Sequence, residues 1–181
     1  MSTEKMYLAP LCKEDLDMIL VWRNEPETRS KMYTSHQISH KEHYDWFERL
    51  QEDKTKAYFL AVLNDEPVGV IGFSEIDKIK GIATWAFYAA PNAPRGTGSL
   101  MEYYALEHAF EKLALHKLRC EVLGFNTVVI KLHKKFGFKE EGVHRDAFHD
   151  GSVYHDIVHL GIFKQEWLDA REELKTKLKI A

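Results

Sequence analysis

Residues 57–90 carry three apolar runs with almost nothing between them, and that stretch limits the possible folds more than any other. "AYFLAVLN" (57–64), "VGVIGFSEI" (68–76) and "IATWAFYAA" (82–90) are each of strand length, and only "DEP" separates the first two. Connections this short join antiparallel neighbours, because a parallel neighbour needs a crossover of a dozen or more residues. Before them, "MYLAPL" (6–11) reads as a strand. "KEDLDMILVWRN" (13–24) places Leu16, Ile19, Leu20 and Arg23 at helical spacing, with Pro26 soon after. "SHKEHYDWFERLQED" (39–53) reads as a helix with Ser39 as N-cap, Glu42 at the capping-box position and a stripe of Trp46, Phe47 and Leu50.

After Pro91 the pattern changes. A helix is expected from about Thr97 to Leu113, a buried strand at "KLRCEVLG" (117–124), and a short helix over 126–138 stopped by Gly137. Two strands follow, 139–148 and 152–163, joined by the tight-turn sequence "HDGS", and the tail 165–181 is an amphipathic helix. The order β-α-α-β-β-β-α-β-α-β-β implies one α/β domain over residues 1–181. It is not a doubly wound nucleotide fold, which alternates strands and helices from the start.

Composition narrows the function. With 45% hydrophobic and 29% charged residues, 181 residues suffice for one well-buried core. No apolar run approaches the ~20 residues of a membrane span, and "MSTEKMYLAP" has no secretion-signal pattern. Two distant cysteines, Cys12 and Cys120, suggest a reducing, cytoplasmic setting. A net charge of −3 offers no global field for nucleic acid. Among ten histidines, His40 and His43 are three apart on one helix, and His144, His149, His155 and His159 fall late. They lack the tight grouping with a carboxylate or thiolate that zinc requires, so no metal is expected.

The junction "PNAPRGTGSL" (91–100) carries the first chemical signal. A helix N-terminus leaves backbone N–H groups unpaired and partly positive. Gly96 and Gly98 would let an anion approach that backbone, and Arg95 adds a cation. Taken alone, these residues fit either a phosphate grip or an ordinary turn before a helix. They form neither a Walker loop nor a dinucleotide fingerprint.

The junction, the strand "WAFYAAP" before it, "KLRCEVLGFN" and "IKLHKKFGFKEEG" together resemble the GCN5-related N-acetyltransferases over about residues 6–168. The resemblance implies a mixed, mostly antiparallel sheet of about seven strands flanked by helices, with a splayed cleft for acetyl-CoA. It implies that Arg95, Gly96, Thr97, Gly98 and Ser99 cradle the CoA pyrophosphate, although Ala93 stands where the family has Arg or Gln. Asn126 would contact the pantetheine arm, and backbone N–H groups near Phe87 and Tyr88 would polarise the thioester carbonyl. His133 occupies the position of the family's usual tyrosine acid, a role that an imidazolium can fill. Thr84 replaces the usual fourth-strand glutamate, which leaves Glu75, acting through water, as the candidate base.

"WRNEPETRSKMYTSHQISHKEHYDWFERL" and "DGSVYHDIVHLGIFKQEW" are similar to the sugar-nucleotide acetyltransferases of pseudaminic acid synthesis. That resemblance implies a UDP-4-amino-4,6-dideoxy sugar as acceptor. Arg23 would bind its diphosphate, a role suited to the bidentate guanidinium. His43 would contact the substrate, Met32, Tyr33 and Trp46 would form a wall for the sugar methyl, and Asp77 and Lys78 would reach the nucleotide. A protein N-terminus or a polyamine is the alternative acceptor and would favour an acidic, open groove. The substitutions at 93 and 84 also fit a silent acyl-CoA-binding module. A homo-oligomer is compatible with the sequence.

Overall fold

The computed structural model describes residues 5–180. Its elements run β1 (Met6–Pro10), α1 (Leu16–Asn24), α2 (Pro26–Arg29), α3 (His40–Glu52), β2 (Ala57–Leu63), β3 (Glu66–Asp77), β4 (Ile82–Ala89) and α4 (Thr97–Glu107). Then come β5 (Lys117–Leu123), α5 (Thr127–Lys135), β6 (Lys139–His149), β7 (Tyr154–Phe163) and α6 (Lys164–Leu178). The seven strands form one sheet in the order β1-β2-β3-β4-β5-β7-β6. Only β4 and β5 are parallel, as expected of a mixed, mostly antiparallel sheet.

The period-two pattern of the strands loads both faces. On one side Ala83, Trp85, Ile71 and Phe73 pack against Leu100, Met101 and Leu106 of α4, Phe136 and Trp167. On the other, Leu60, Val62 and Val70 meet Leu16 and Ile19 of α1 and Phe47 and Leu50 of α3. Burying each such side chain stabilises the fold by roughly 1.5–3 kcal/mol. The Ser39 hydroxyl accepts the Glu42 N–H at 3.2 Å, so α3 starts at the expected cap.

Two local expectations are corrected. Pro26 does not simply end the first helix; it occupies the first position of a further turn, α2, where its missing N–H costs nothing. The helix after the junction is α-helical only to Glu107, and His108–Lys112 form a π turn closed by Leu113 N–H to His108 O at 3.0 Å. The wider turn carries Ala109 and Phe110, both fully buried, and the chain then leaves the helix at Ala114 with φ 52°. Spacing alone does not reveal such a local change of helical period.

The feature that positions the site is a split in the sheet. β4 and β5 pair at only three positions, Ile82↔Lys117, Ala83↔Leu118 and Thr84↔Arg119. Beyond these, β4 stays bound to β3 as far as Ala89↔Gly69, and β5 to β7 as far as Leu123↔Ile157. Each strand is anchored on its outer side, so a wedge opens between them and leaves backbone hydrogen-bonding groups unpaired along the inner edges.

Candidate functional site

A cleft of about 470 Å³ fills that wedge. Trp85 to Ala89 of β4 form one wall and Cys120 to Leu123 of β5 the other. Asn126, Val129 and His133 close it from α5, while Glu25, Glu27, Lys31, Met32 and Tyr33 reach in from the α1–α2 region.

None of Arg95, Gly96, Thr97, Gly98 and Ser99 lines this cleft, although a Cβ built at Gly98 would lie 3.8 Å from the lining residue Phe87. Gly96 caps α4 in a left-handed conformation, φ 96°, which glycine adopts without strain. Thr97 N–H donates to Pro94 O at 3.1 Å and Ser99 N–H to Gly96 O at 3.0 Å. The N–H groups of Arg95, Gly96 and Gly98 find no acceptor among the described residues. Three free donors at a helix N-terminus make an anion seat. The Thr97 hydroxyl is spent on Pro94 O at 2.7 Å, so Thr97 shapes the turn with its side chain. Asn126 N–H donates to Leu123 O at 2.8 Å, and its carboxamide has no partner among the described residues although the residue lines the cleft.

His133 is 3% exposed and not the exposed helix residue that its lysine neighbours suggest. Its ring packs against Trp85 and Phe138 at 5.4 and 5.1 Å between centroids, and its Nδ1 lies 2.8 Å from Glu102 Oε1. Glu102, on α4, is fully buried, and burial holds its carboxyl above the usual range, opposed in part by His133. Cys120, also buried, has its thiol pushed up by burial and is no nucleophile.

The candidate base sits elsewhere. Glu75 Oε2 accepts from Thr84 Oγ1 at 2.7 Å and from Arg119 Nη2 at 3.1 Å, in a separate recess that also holds Glu121, Glu141 and His159. Glu121 alone among these carboxylates also lines the cleft. The Tyr33 hydroxyl donates to Glu121 Oε2 at 2.7 Å, a contact that together with burial pushes the phenol up.

The acceptor residues expected from sequence divide into two groups. Met32 and Tyr33 line the cleft beside Glu25 and Glu27; Arg23, His43, Trp46, Asp77 and Lys78 are outside its lining. Arg23 donates from Nη2 to Thr34 O at 2.9 Å, while its buried Nη1 lacks a partner among the described residues. His43 stacks on Trp46 at 5.3 Å, and burial lowers its imidazole. Asp77 accepts from Ile79 and Lys80 N–H at 3.0 and 2.9 Å and so holds the β3–β4 turn. Phe87 and Tyr88 lie on the cleft wall. Among the described residues no three His, Cys, Asp or Glu side chains converge as metal ligands, and no helix is long and apolar enough to cross a membrane.

Sequence reasoning missed Glu102 and Glu121. Glu102 had a signal: it is an acid inside the otherwise apolar run "LMEYYAL". Glu121 alternates outward on β5 between Cys120 and Val122 and reads as a solvated strand residue until the sheet is seen to split.

The sequence matches the acetyltransferase (GNAT) domain over residues 5–139. The chain belongs to the GNAT acetyltransferase family. It is 29% identical over 139 residues to the acetyltransferase PseH of Campylobacter jejuni strain 81-176, covering 77% of this chain and 86% of that protein. The spermidine N(1)-acetyltransferase of Escherichia coli K12 is 23% identical over 168 residues, covering 92% and 90%. The fold matches the crystal structure of the Vibrio cholerae spermidine N-acetyltransferase in complex with CoA and spermine, with a TM-score of 0.84, 23% identity and coverage of 90% and 98%. The GNAT chain is therefore an N-acetyltransferase.

Proposed function

We propose that this N-acetyltransferase takes its acetyl group from acetyl-CoA and transfers it to the 4-amino group of a UDP-4-amino-4,6-dideoxy sugar. The CoA diphosphate sits on the free N–H groups of Arg95, Gly96 and Gly98, with Arg95 and the Ser99 region beside it, and Asn126 meets the pantetheine arm. The observation that carries the acceptor reading is the Tyr33–Glu121 contact next to Met32: a carboxylate for an ammonium, flanked by an apolar wall for a methyl group. Similarity to the PseH acetyltransferases supports it.

Glu121 takes the ammonium proton, in place of Glu75, which is paired with Arg119 at 3.1 Å and does not line the cleft. The freed amine attacks the thioester carbonyl while inner-edge N–H groups of β4 near Phe87 and Tyr88 hold the developing oxyanion; the C–S bond then breaks and the nitrogen gives up its second proton to solvent. His133 returns a proton to the departing thiolate. A sugar amine flanked by electronegative carbons is a weaker base than lysine, so a carboxylate suffices.

One observation favours a polyamine instead. Glu25, Glu27 and Glu121 all line the cleft, and its lysine, Lys31, is paired with Glu27 at 3.0 Å, so the wall is acidic. An acetyl-CoA consumption assay across UDP-4-amino sugars, N-terminal peptides and spermidine separates these readings. Higher kcat/KM for spermidine than for the sugar overturns the sugar assignment; no turnover of any amine favours a silent acyl-CoA-binding module. The Vibrio cholerae spermidine N-acetyltransferase has a dodecameric structure, and homo-oligomer formation here is tested by light scattering on the same sample.

A further inference from the structure

Glu102 is an expensive residue for its position. It is fully buried, it points into a core built of Trp85, Phe138 and their neighbours, and a leucine there would extend the apolar surface of α4. Only one carboxyl oxygen is used: Oε1 meets His133 Nδ1 at 2.8 Å, whereas Oε2 is buried without a partner among the described residues. With Nδ1 taken, Nε2 is the ring nitrogen left for the cleft that His133 lines.

We propose that Glu102 is a positioning residue for acetyl transfer, a buried carboxyl that fixes the His133 ring and shares one proton with it, so that Nε2–H always faces the departing thiolate. The proposal rests on the reading of His133 as the proton donor.

The proton balance gives the pairing a purpose. When the carboxyl is protonated, its O–H donates to Nδ1 and the ring hydrogen resides on Nε2. When that proton has crossed, Nδ1–H donates to the carboxylate and Nε2 still carries hydrogen. In the transfer step the Nε2–H bond breaks, an S–H bond forms on CoA, and the shared proton ends on Nδ1. The thiolate loses its negative charge and the pair gains one. A neutral imidazole without Glu102 could give up a proton only by becoming an imidazolate. An imidazolium of ordinary acidity is a minor species above about pH 6.5.

The other titratable groups acting on the pair are the Cys120 thiol from β5 and Lys135 from α5, whose charge partly lowers the Glu102 carboxyl. Aromatic rings from β4 and from Phe138 complete the surroundings.

The test compares Glu102→Gln, Glu102→Met and His133→Phe, alone and combined, in the full chain. Glu102→Gln keeps the shape and removes the shared proton. It is expected to lower kcat at least 10-fold, leave the KM for acetyl-CoA and the calorimetric affinity for CoA within twofold, and shift the alkaline limb of kcat to lower pH. Glu102→Met, which leaves His133 Nδ1 without its partner, is expected to melt lower than wild type yet to fold and show the same loss of kcat. Glu102→Met combined with His133→Phe, which replaces both partners by apolar groups, is expected to melt no lower than wild type. In the His133→Phe background neither substitution should reduce kcat further, because Glu102 acts only through that ring. If His133→Phe is slow but both Glu102 variants keep wild-type kcat and pH profile, the role of Glu102 is overturned. If His133→Phe itself keeps full kcat, the donor reading fails and this proposal with it.

Discussion

Gly98→Ala should change two measurements in opposite directions. A Cβ built at Gly98 lies 3.6 Å from Leu132 Cδ2 and 3.8 Å from Phe87 Cε2, ordinary contact distances, and its φ is not in the left-handed region. The protein can therefore accept the methyl group. Replacing a glycine in the first turn of α4 by alanine favours the helix by up to about 1 kcal/mol, so the melting temperature should stay level or rise. The methyl would fill the gap between α4, α5 and β4 beside the free Gly98 N–H and, on the proposed seat, would hinder a diphosphate approaching that N–H. Losing one hydrogen bond to a charged group costs about 1.5–3 kcal/mol, equivalent to roughly a 10- to 150-fold weaker Kd at about 1.4 kcal/mol per decade. Isothermal titration with CoA reads the affinity and calorimetry reads the melt. Gly98→Val, with a larger obstruction, should weaken binding further. Unchanged CoA affinity in both variants, with intact melting transitions, would refute the assignment of the α4 N-terminus to the pyrophosphate.

Arg23→Ala should lower the melting temperature and leave the KM for the UDP-sugar and for acetyl-CoA nearly unchanged, because the guanidinium turns to Thr34 O outside the cleft lining; a rise in the sugar KM alone would restore Arg23 as a diphosphate ligand. His133→Phe should lower kcat by roughly 10²-fold with little change in CoA affinity, and His133→Tyr should retain much of the activity; equal loss in both variants would count against proton donation. Phe136→Ala, at a fully buried position in the larger core, should cost about 3–5 kcal/mol in urea unfolding, and a loss below 1 kcal/mol would mean that the α5 turn can collapse around the cavity. Burial lowers the folded-state pKa of His43, so the unfolded chain binds more protons and stability should fall as pH drops below about 6.5. His43→Gln should flatten part of that fall in urea midpoints measured from pH 5 to 8, and an identical slope in the variant would exclude His43 as a contributor.

How much of this was legible beforehand depends on the range of the interaction concerned. Strand and helix positions follow from side-chain periodicity, which is local: the alternation in "IATWAFYAA", the Ser39 cap and the turn at Asp150–Gly151 all appear where the sequence places them. The π turn at His108–Lys112 could not be read, because the choice between two hydrogen-bonding periods is made by what Ala109 and Phe110 pack against. Among site residues, the glycine junction is likewise local, since a left-handed Gly96 and unpaired N–H groups need only their own few residues. His133 was found by its position in a motif, but its burial and its partner were not, because Glu102 lies 31 residues away on another helix.

The acceptor side shows the same boundary. Met32 and Tyr33 reach the cleft, while Arg23 and His43, equally plausible by residue type, turn toward Thr34 and Trp46. A side chain's chemistry is written in the chain, but the direction it faces is set by the packing of α1 and α3 on the sheet. Glu121 makes the point most sharply. The sequence by itself determined the α/β class, the order of elements and the glycine turn that starts α4, because propensity, periodicity and turn chemistry act over a few residues. Only the tertiary structure decided that β4 and β5 part after Thr84 and Arg119, because that depends on which outer neighbour each strand holds. That parting opens the cleft and puts the strand carboxylate Glu121 and the Glu102-bound His133 on one lining.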